Sequence, residues 1–133
     1  MALDVGGTRI GVAIANVIAR IPNPTTTIYN TDTVFVDLKK LIDEYDVAVI
    51  VVGLPRNLNG QHTSQTVTVE RFGAAVKSKF DLPLYWQDEA LTSHKAKEEL
   101  AGRAKGYQKE AVDALAATYI LEDFLQDHPE VRA

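Results

Sequence analysis

The sequence predicts an α/β fold in which helices pack on a mixed β-sheet. The opening stretch ALDVGGTRIGVAI contains two apolar runs joined by a glycine turn, which is typical of an antiparallel hairpin. The run VAVIVV at 47–52 is continuously apolar and mostly β-branched, as in a parallel strand that is buried on both faces. Between and after these runs, apolar residues recur at helical spacing, which predicts helices that cover the sheet.

Composition limits the class of protein. With 133 residues, of which 46% are hydrophobic, the chain can bury one core, and we expect a single domain over residues 1–133. Cysteine is absent, which excludes disulfides, thiolate metal sites and a cysteine nucleophile. No stretch approaches the roughly 20 apolar residues of a membrane span, so we expect a cytoplasmic protein without a membrane partner.

The first half of the chain predicts three strands, a helix and a fourth strand. The opening hairpin supplies strands at 2–5 and 10–15, and the β-branched segment 25–29 supplies a third. An apolar stripe at 34–45 then indicates a helix, which one of the residues Thr31 to Thr33 can cap. The fourth strand is VAVIVV, and we expect the following Gly-Leu-Pro to end it.

The second half predicts a helix, a strand and further helices. Apolar residues from Val69 to Phe80 form one helical stripe, and a short strand follows at 82–86. A short helix at 92–101 and a final helix at about 108–126 complete the order. On this prediction the acidic pair at 88 and 89 lies just past the last strand.

Acidic residues stand where α/β sheets form their sites. Asp4 is near the end of the first strand, and Asp88 and Glu89 follow the last. Because sites form at the carboxyl ends of strands, these side chains can meet in one crevice. The alternatives are local: a turn-forming aspartate at position 4, and an acidic loop or helix N-cap at positions 88 and 89.

The position of Asp113 indicates a functional carboxylate more specifically than the positions of Asp4, Asp88 and Glu89 do. On the final helix it shares a face with the apolar residues Ala117, Ile120 and Phe124, so its carboxylate should point toward the protein body. A buried carboxylate is costly unless it is paired or coordinates a metal. Interaction with the helix N-terminus is a weaker explanation, because Asp113 lies beyond the first turn.

Separated carboxylates without Cys or His partners favour Mg²⁺ or Mn²⁺. Two such ions can activate water and stabilise the leaving oxygen of a phosphodiester, so no general base on the protein is required. The histidines at 62, 94 and 128 are scattered and form no zinc pair. Serine-hydrolase, dinucleotide and P-loop motifs are missing from the sequence.

Charge is unevenly distributed along the chain. The formal net charge of −4 argues against non-specific binding of nucleic acid, since phosphate neutralisation by Lys and Arg supplies most of that affinity. Basic residues nevertheless crowd positions 95–109, and acidic residues crowd positions 122–130. The sequence therefore leaves room for a local basic patch.

Four segments in this order, ALDVGGTRIGVA, VVGLPRNLNG, DEALTS and VDALAATYIL, resemble the YqgF (RuvX) family of bacterial nucleases. Its members are described as Holliday-junction resolvases and as nucleases that mature the 5′ end of pre-16S ribosomal RNA. The resemblance covers essentially the whole chain. It implies a ribonuclease H-like fold: a mixed five-stranded sheet, with three antiparallel strands and then two parallel ones, and helices on both faces.

The resemblance also implies a metal-dependent endonuclease that acts on structured RNA or branched DNA. It places metal ligands at Asp4, Glu89 and Asp113, with Asp88 as a further candidate ligand, and Mg²⁺ or Mn²⁺ as the cofactor. Family positions and basic residues together give the candidate substrate contacts, which are Arg9, Arg56, Asn57, Thr92, Lys105 and Lys109.

The chain also departs from the family pattern. The first turn has Gly7-Thr8, Ala90 stands where the family has an arginine, and the basic segment 102–109 is short. Ala90, the short basic segment and the acidic net charge favour an alternative, a non-catalytic module of the same fold that binds nucleic acid, a ribosomal particle or a protein partner.

Two further possibilities concern other protein classes and assembly. The motif DVGGT resembles the phosphate motif of glucokinase-like sugar kinases, but those enzymes combine two such units and 133 residues provide one. Another possibility is a structural subunit that docks through its acidic tail, Glu122 to Glu130, or through an exposed apolar face. A two-fold homodimer would suit a symmetric four-way junction.

Overall fold

The computed structural model describes residues 1–55, 63–89 and 109–131. Its elements in chain order are β1 (Ala2–Val5), β2 (Arg9–Ile14), β3 (Asn23–Tyr29), α1 (Val34–Glu44), β4 (Ile50–Pro55), α2 (Ser64–Phe80), β5 (Leu84–Glu89) and α3 (Lys109–Asp127). None of the helices in these ranges is long and apolar enough to cross a membrane. The predicted helix at 92–101 lies outside the described residues.

The five strands form one sheet in the order β3-β2-β1-β4-β5. The pairs β1/β2 and β2/β3 are antiparallel, and the pairs β1/β4 and β4/β5 are parallel. The predicted mixed sheet, with three antiparallel strands followed by two parallel ones, is therefore confirmed. Its central strand is β1, so the short opening stretch of the chain is covered by neighbours on both edges.

Each face of the sheet has its own apolar core. Leu3 and Val5 of β1 pack with residues of α1 and α2, whereas Ala2 and Val51 pack with α3. This division follows from the alternation of side chains along a strand. Because α1 and α2 cover one face and α3 covers the other, the prediction of helices on both faces is also confirmed.

The ends of β4 and β5 differ from the sequence prediction. β4 continues through Gly53, Leu54 and Pro55 instead of ending before them, and β5 runs to Glu89 instead of stopping at 86. Leu54 pairs with Asp88 and Pro55 with Glu89. Pairing with β5 therefore overrides the local preference of Gly-Leu-Pro to end a strand. The acidic pair thus lies within the last strand and not after it.

The predicted cap of α1 is wrong in its detail. Thr33 is the N-cap residue, but its side chain makes no capping hydrogen bond, and its hydroxyl lies 3.1 Å from that of Thr31. The backbone of Thr33, at φ −96° and ψ 6°, is outside the extended region that aims a capping side chain at the first amides.

Candidate active site

The carboxyl ends of the three parallel strands lie at one edge of the sheet. Asp4 stands near the end of β1, Gly53 near the end of β4, and Glu89 is the last residue of β5. Alternation along the strands places all three on the face that packs against α3, since Ala2, Val51 and Tyr85 belong to the core of that face. The sheet therefore brings Asp4 and Glu89 to the same edge and the same face.

Gly53 separates these two carboxylates. Val52 of β4 pairs with Leu3 of β1, so the next residues along the two strands, Gly53 and Asp4, are neighbours. A Cβ added to Gly53 would lie 3.4 Å from Glu89 Oε2 and 2.5 Å from Ile120 Cδ1. The Glu89 carboxylate thus lies above the glycine, close to α3, with Asp4 on the strand at the other side.

Gly11 lets the helix α3 approach the sheet at the third carboxylate. A Cβ at Gly11 would lie only 1.9 Å from the backbone oxygen of Asp113 and 3.0 Å from the nitrogen of Ala114. Gly11 is also the β2 residue that pairs with Asp4. The backbone of Asp113 therefore rests on the strand position next to Asp4.

The side chain of Asp113 contacts Arg9, the first residue of β2. Arg9 Nε donates a hydrogen bond of 2.6 Å to Asp113 Oδ2, and Asp113 as a whole residue is 7% exposed. The prediction that this carboxylate points into the protein is confirmed. The cost of burying it is offset by a charge-assisted hydrogen bond from a fully charged partner.

The residues fit a divalent cation in chemistry and placement, but their side chains are not assembled around one. Asp4, Glu89 and Asp113 offer only oxygen donors, as Mg²⁺ and Mn²⁺ prefer, and they share one face and one edge. Within the ranges 1–55, 63–89 and 109–131, however, no three acidic or histidine side chains form a group that could hold a metal ion. Asp113 is engaged with Arg9 instead.

Of the remaining predicted site residues, the structure places Asp88 away from the three carboxylates. Strand alternation places Asp88 on the opposite face from Glu89, where it is exposed on the side of Trp86 and α2. Lys109 is the first residue of α3. The other candidates, Arg56, Asn57, Thr92 and Lys105, lie outside the described residues.

Thr66 is a residue near the site that the sequence analysis missed. It is fully buried, and its hydroxyl donates a hydrogen bond of 2.6 Å to the carbonyl oxygen of Pro55, at the end of β4. It also forms a reciprocal capping box with Thr63, the N-cap of α2. Two threonines three residues apart ahead of an apolar stripe were the available signal. The hydrogen bonds of Thr66 thus connect Pro55 at the end of β4 to the first turn of α2, the two segments on either side of residues 56–62.

Comparison with known proteins finds relatives over nearly the whole chain. Residues 1–127 match the profile of the RuvX family, which is described as Holliday junction resolvase. A protein of Thermoanaerobacter pseudethanolicus is 39% identical over 130 residues, or 94% of each chain. A protein of Chloroflexus aggregans is 39% identical over 94% of this chain and 91% of its own, and one of Pseudomonas aeruginosa is 35% identical over 98% and 93%. All three relatives are named "Putative pre-16S rRNA nuclease".

Proposed function

This chain belongs to the RuvX family, whose profile matches residues 1–127, and from that premise we propose that it is an endonuclease that hydrolyses phosphodiester bonds in structured nucleic acid. The relatives' names point to pre-16S ribosomal RNA as the first candidate substrate. The description of the family points to a four-way DNA junction as the second. Both processes need the same reaction, the cutting of a phosphodiester backbone.

One observation of the structure carries the proposal. Two glycines allow three carboxylates to approach one edge of the sheet: Gly53 lies beneath Glu89, and Gly11 lies beneath the backbone of Asp113 and beside Asp4. The carboxyl edge of parallel strands is where α/β folds place their ligands. An apolar core in contact with α3 holds these positions from below.

We propose Mg²⁺ or Mn²⁺ as the cofactor, held by Asp4, Glu89 and Asp113. Such ions, when bound, supply an activated water and stabilise the departing oxygen of the cleaved strand. The chain's own part is to hold the carboxylates and to neutralise phosphate charge. For the second task we propose the basic residues Arg9, Arg56, Lys105 and Lys109, and we propose Asn57 and Thr92 as uncharged hydrogen-bonding contacts to the substrate.

The test is cleavage of a labelled pre-16S leader fragment and a labelled four-way junction, each with Mg²⁺, Mn²⁺ or EDTA. We expect metal-dependent cuts that fall at least about a hundredfold in Asp4→Asn, because this change keeps the shape and removes a ligand charge. Asp43→Asn is the matched control, since Asp43 is exposed on α1, on the other face of the sheet. The control should cut like the unmodified chain.

The same experiment separates the alternative. A folded chain that binds either substrate in a salt-sensitive manner, but cuts neither in any metal, would be a binding module and would contradict the proposal. The substrate that is cut faster identifies the process. We also propose a cytoplasmic location and, if the junction is the substrate, a two-fold homodimer that light scattering would detect.

A further inference from the structure

The ion pair between Arg9 and Asp113 joins two parts of the site that are 104 residues apart in the sequence. Arg9 Nε lies 2.6 Å from Asp113 Oδ2, and the two side chains are 27% and 10% exposed. The carboxylate that faces the site therefore already has a complete positive counter-charge at hydrogen-bonding distance.

A divalent cation and a guanidinium group cannot use the same carboxylate oxygen in the same direction. Binding of a metal to Asp113 Oδ2 would either displace Arg9 or place two positive charges beside each other in a partly buried site, where their repulsion is weakly screened. The ion pair accordingly opposes metal binding at Asp113.

The surrounding structure restricts how this conflict can be relieved. The backbone of Asp113 touches Gly11 so closely that a Cβ there would lie 1.9 Å from its oxygen, so α3 cannot move nearer to the sheet. Arg9 belongs to β2, whose pairing with β1 and β3 fixes its backbone. The two side chains are the groups that can rearrange without a movement of the backbone, and Asp4 lies beside Gly11 on the neighbouring strand.

We propose that Arg9 is an internal competitor of the metal: it holds Asp113 while the site is without a divalent cation, and metal binding releases its guanidinium toward the substrate edge. This inference rests on the proposed function and adds a residue that sets metal affinity. It accounts for the engagement of Asp113 with Arg9 at an edge that Asp113 shares with two other carboxylates. It also gives Arg9 both of its roles, as a partner of Asp113 and as a phosphate contact.

The experiment measures Mn²⁺ binding to the protein without nucleic acid, by electron paramagnetic resonance of free Mn²⁺. Arg9→Gln should bind Mn²⁺ about tenfold more tightly than the unmodified chain, because a charge-assisted hydrogen bond to Asp113 no longer competes. Arg71→Gln removes the same charge from an exposed position of α2, on the other face, and should leave the dissociation constant unchanged. In Arg9→Gln with Asp113→Asn the gain should vanish.

Equal or weaker Mn²⁺ binding by Arg9→Gln overturns the proposal, because Arg9 would then support Asp113 as a ligand. Should Arg9→Gln fail to fold, Arg9→Lys keeps the charge without the Nε donor and should show a smaller gain in affinity. Binding by neither the unmodified chain nor Arg9→Gln also overturns it. Tighter binding without cleavage of either substrate supports the competition and contradicts the nuclease function, so the two failures are distinguishable.

Discussion

At the scale of single residues, Asp113 shows what a sequence pattern can and cannot give. Its helical neighbours Ala117 and Ile120 are apolar, which is sufficient to predict that the carboxylate faces inward and needs a partner. The identity of that partner depends on the tertiary structure. Arg9 lies 104 residues away, and its basic character equally suits a phosphate contact. Resemblance placed both residues in the site without revealing that they contact each other.

Gly11 has no space for a side chain, because the backbone of Asp113 packs directly against it. Gly11→Ala should lower the free energy of unfolding by about 3 kcal/mol or more, because a Cβ would lie 1.9 Å from the backbone oxygen of Asp113, which cannot rotate away. Urea unfolding followed by circular dichroism measures this. Gly7→Ala is the control in the same turn region, since no atom lies within 4 Å of its added Cβ. A loss below 1 kcal/mol in Gly11→Ala would show that α3 is not seated against β2 as described.

At the scale of elements, local signals located every described strand and helix but misplaced some ends. The Gly-Leu-Pro sequence after VAVIVV typically ends a strand. β4 nevertheless continues through it, because its residues pair with those of β5 up to Glu89. The consequence is functional: Glu89 is the last residue of a strand and has a fixed backbone. The capping box of α2 was readable as Thr63 and Thr66, but the hydrogen bond of Thr66 to Pro55 depends on how β4 and α2 meet.

Arg20, in the loop between β2 and β3, binds the C-terminal end of α3. Its guanidinium donates hydrogen bonds to the carbonyl oxygens of Leu125 (2.7 Å), His128 (3.1 Å) and Val131. Carbonyls at a helix end lack intrahelical partners, and a cation there is favoured by the helix dipole. Arg20→Ala should therefore cost roughly 2 kcal/mol of stability.

The contrast with lysine makes the Arg20 prediction specific. Arg20→Lys keeps the charge but loses the planar fork, so thermal unfolding should place it between Arg20→Ala and the unmodified chain. Hydrogen exchange should show the loss concentrated in the last turns of α3. Equal stability of all three proteins would mean that the end of α3 does not depend on the loop between β2 and β3.

At the scale of the whole molecule, the mixed character of the sheet was predictable and the docking of α3 was not. The resemblance implies three antiparallel strands followed by two parallel ones, and the observed order β3-β2-β1-β4-β5 has that arrangement. The position of α3 on the sheet depends on two glycines: Gly11 leaves space for the backbone of Asp113, and Gly53 leaves space for the side chain of Ile120. Such contacts have no periodicity that would mark them in the sequence.

The amino terminus makes the stability of the whole chain depend on pH. The Met1 ammonium group donates a hydrogen bond of 3.0 Å to the carbonyl of Val49, and burial lowers its pKa from 8.0 to about 6. Between these values the folded chain binds fewer protons at this group than the unfolded chain does. Its contribution is therefore complete above pH 8 and is lost as the pH falls toward 6, with a total change of roughly 2–3 kcal/mol.

Urea unfolding of the 133-residue chain between pH 5.5 and 8.5, compared with the same chain acetylated at Met1, isolates this contribution. The acetylated amide keeps an N–H donor but does not titrate, and a cavity of about 480 Å³ lined by Met1, Val47 and Phe124 offers room for the acetyl group. The two proteins differ only at the amino group, so contributions from all side chains cancel in the difference between the two profiles. We expect the difference to grow as the pH is lowered, with the acetylated chain the more stable at pH 6. Parallel profiles would show that the amine is solvated in the folded chain, and that Met1, the residue before β1, is not held as described.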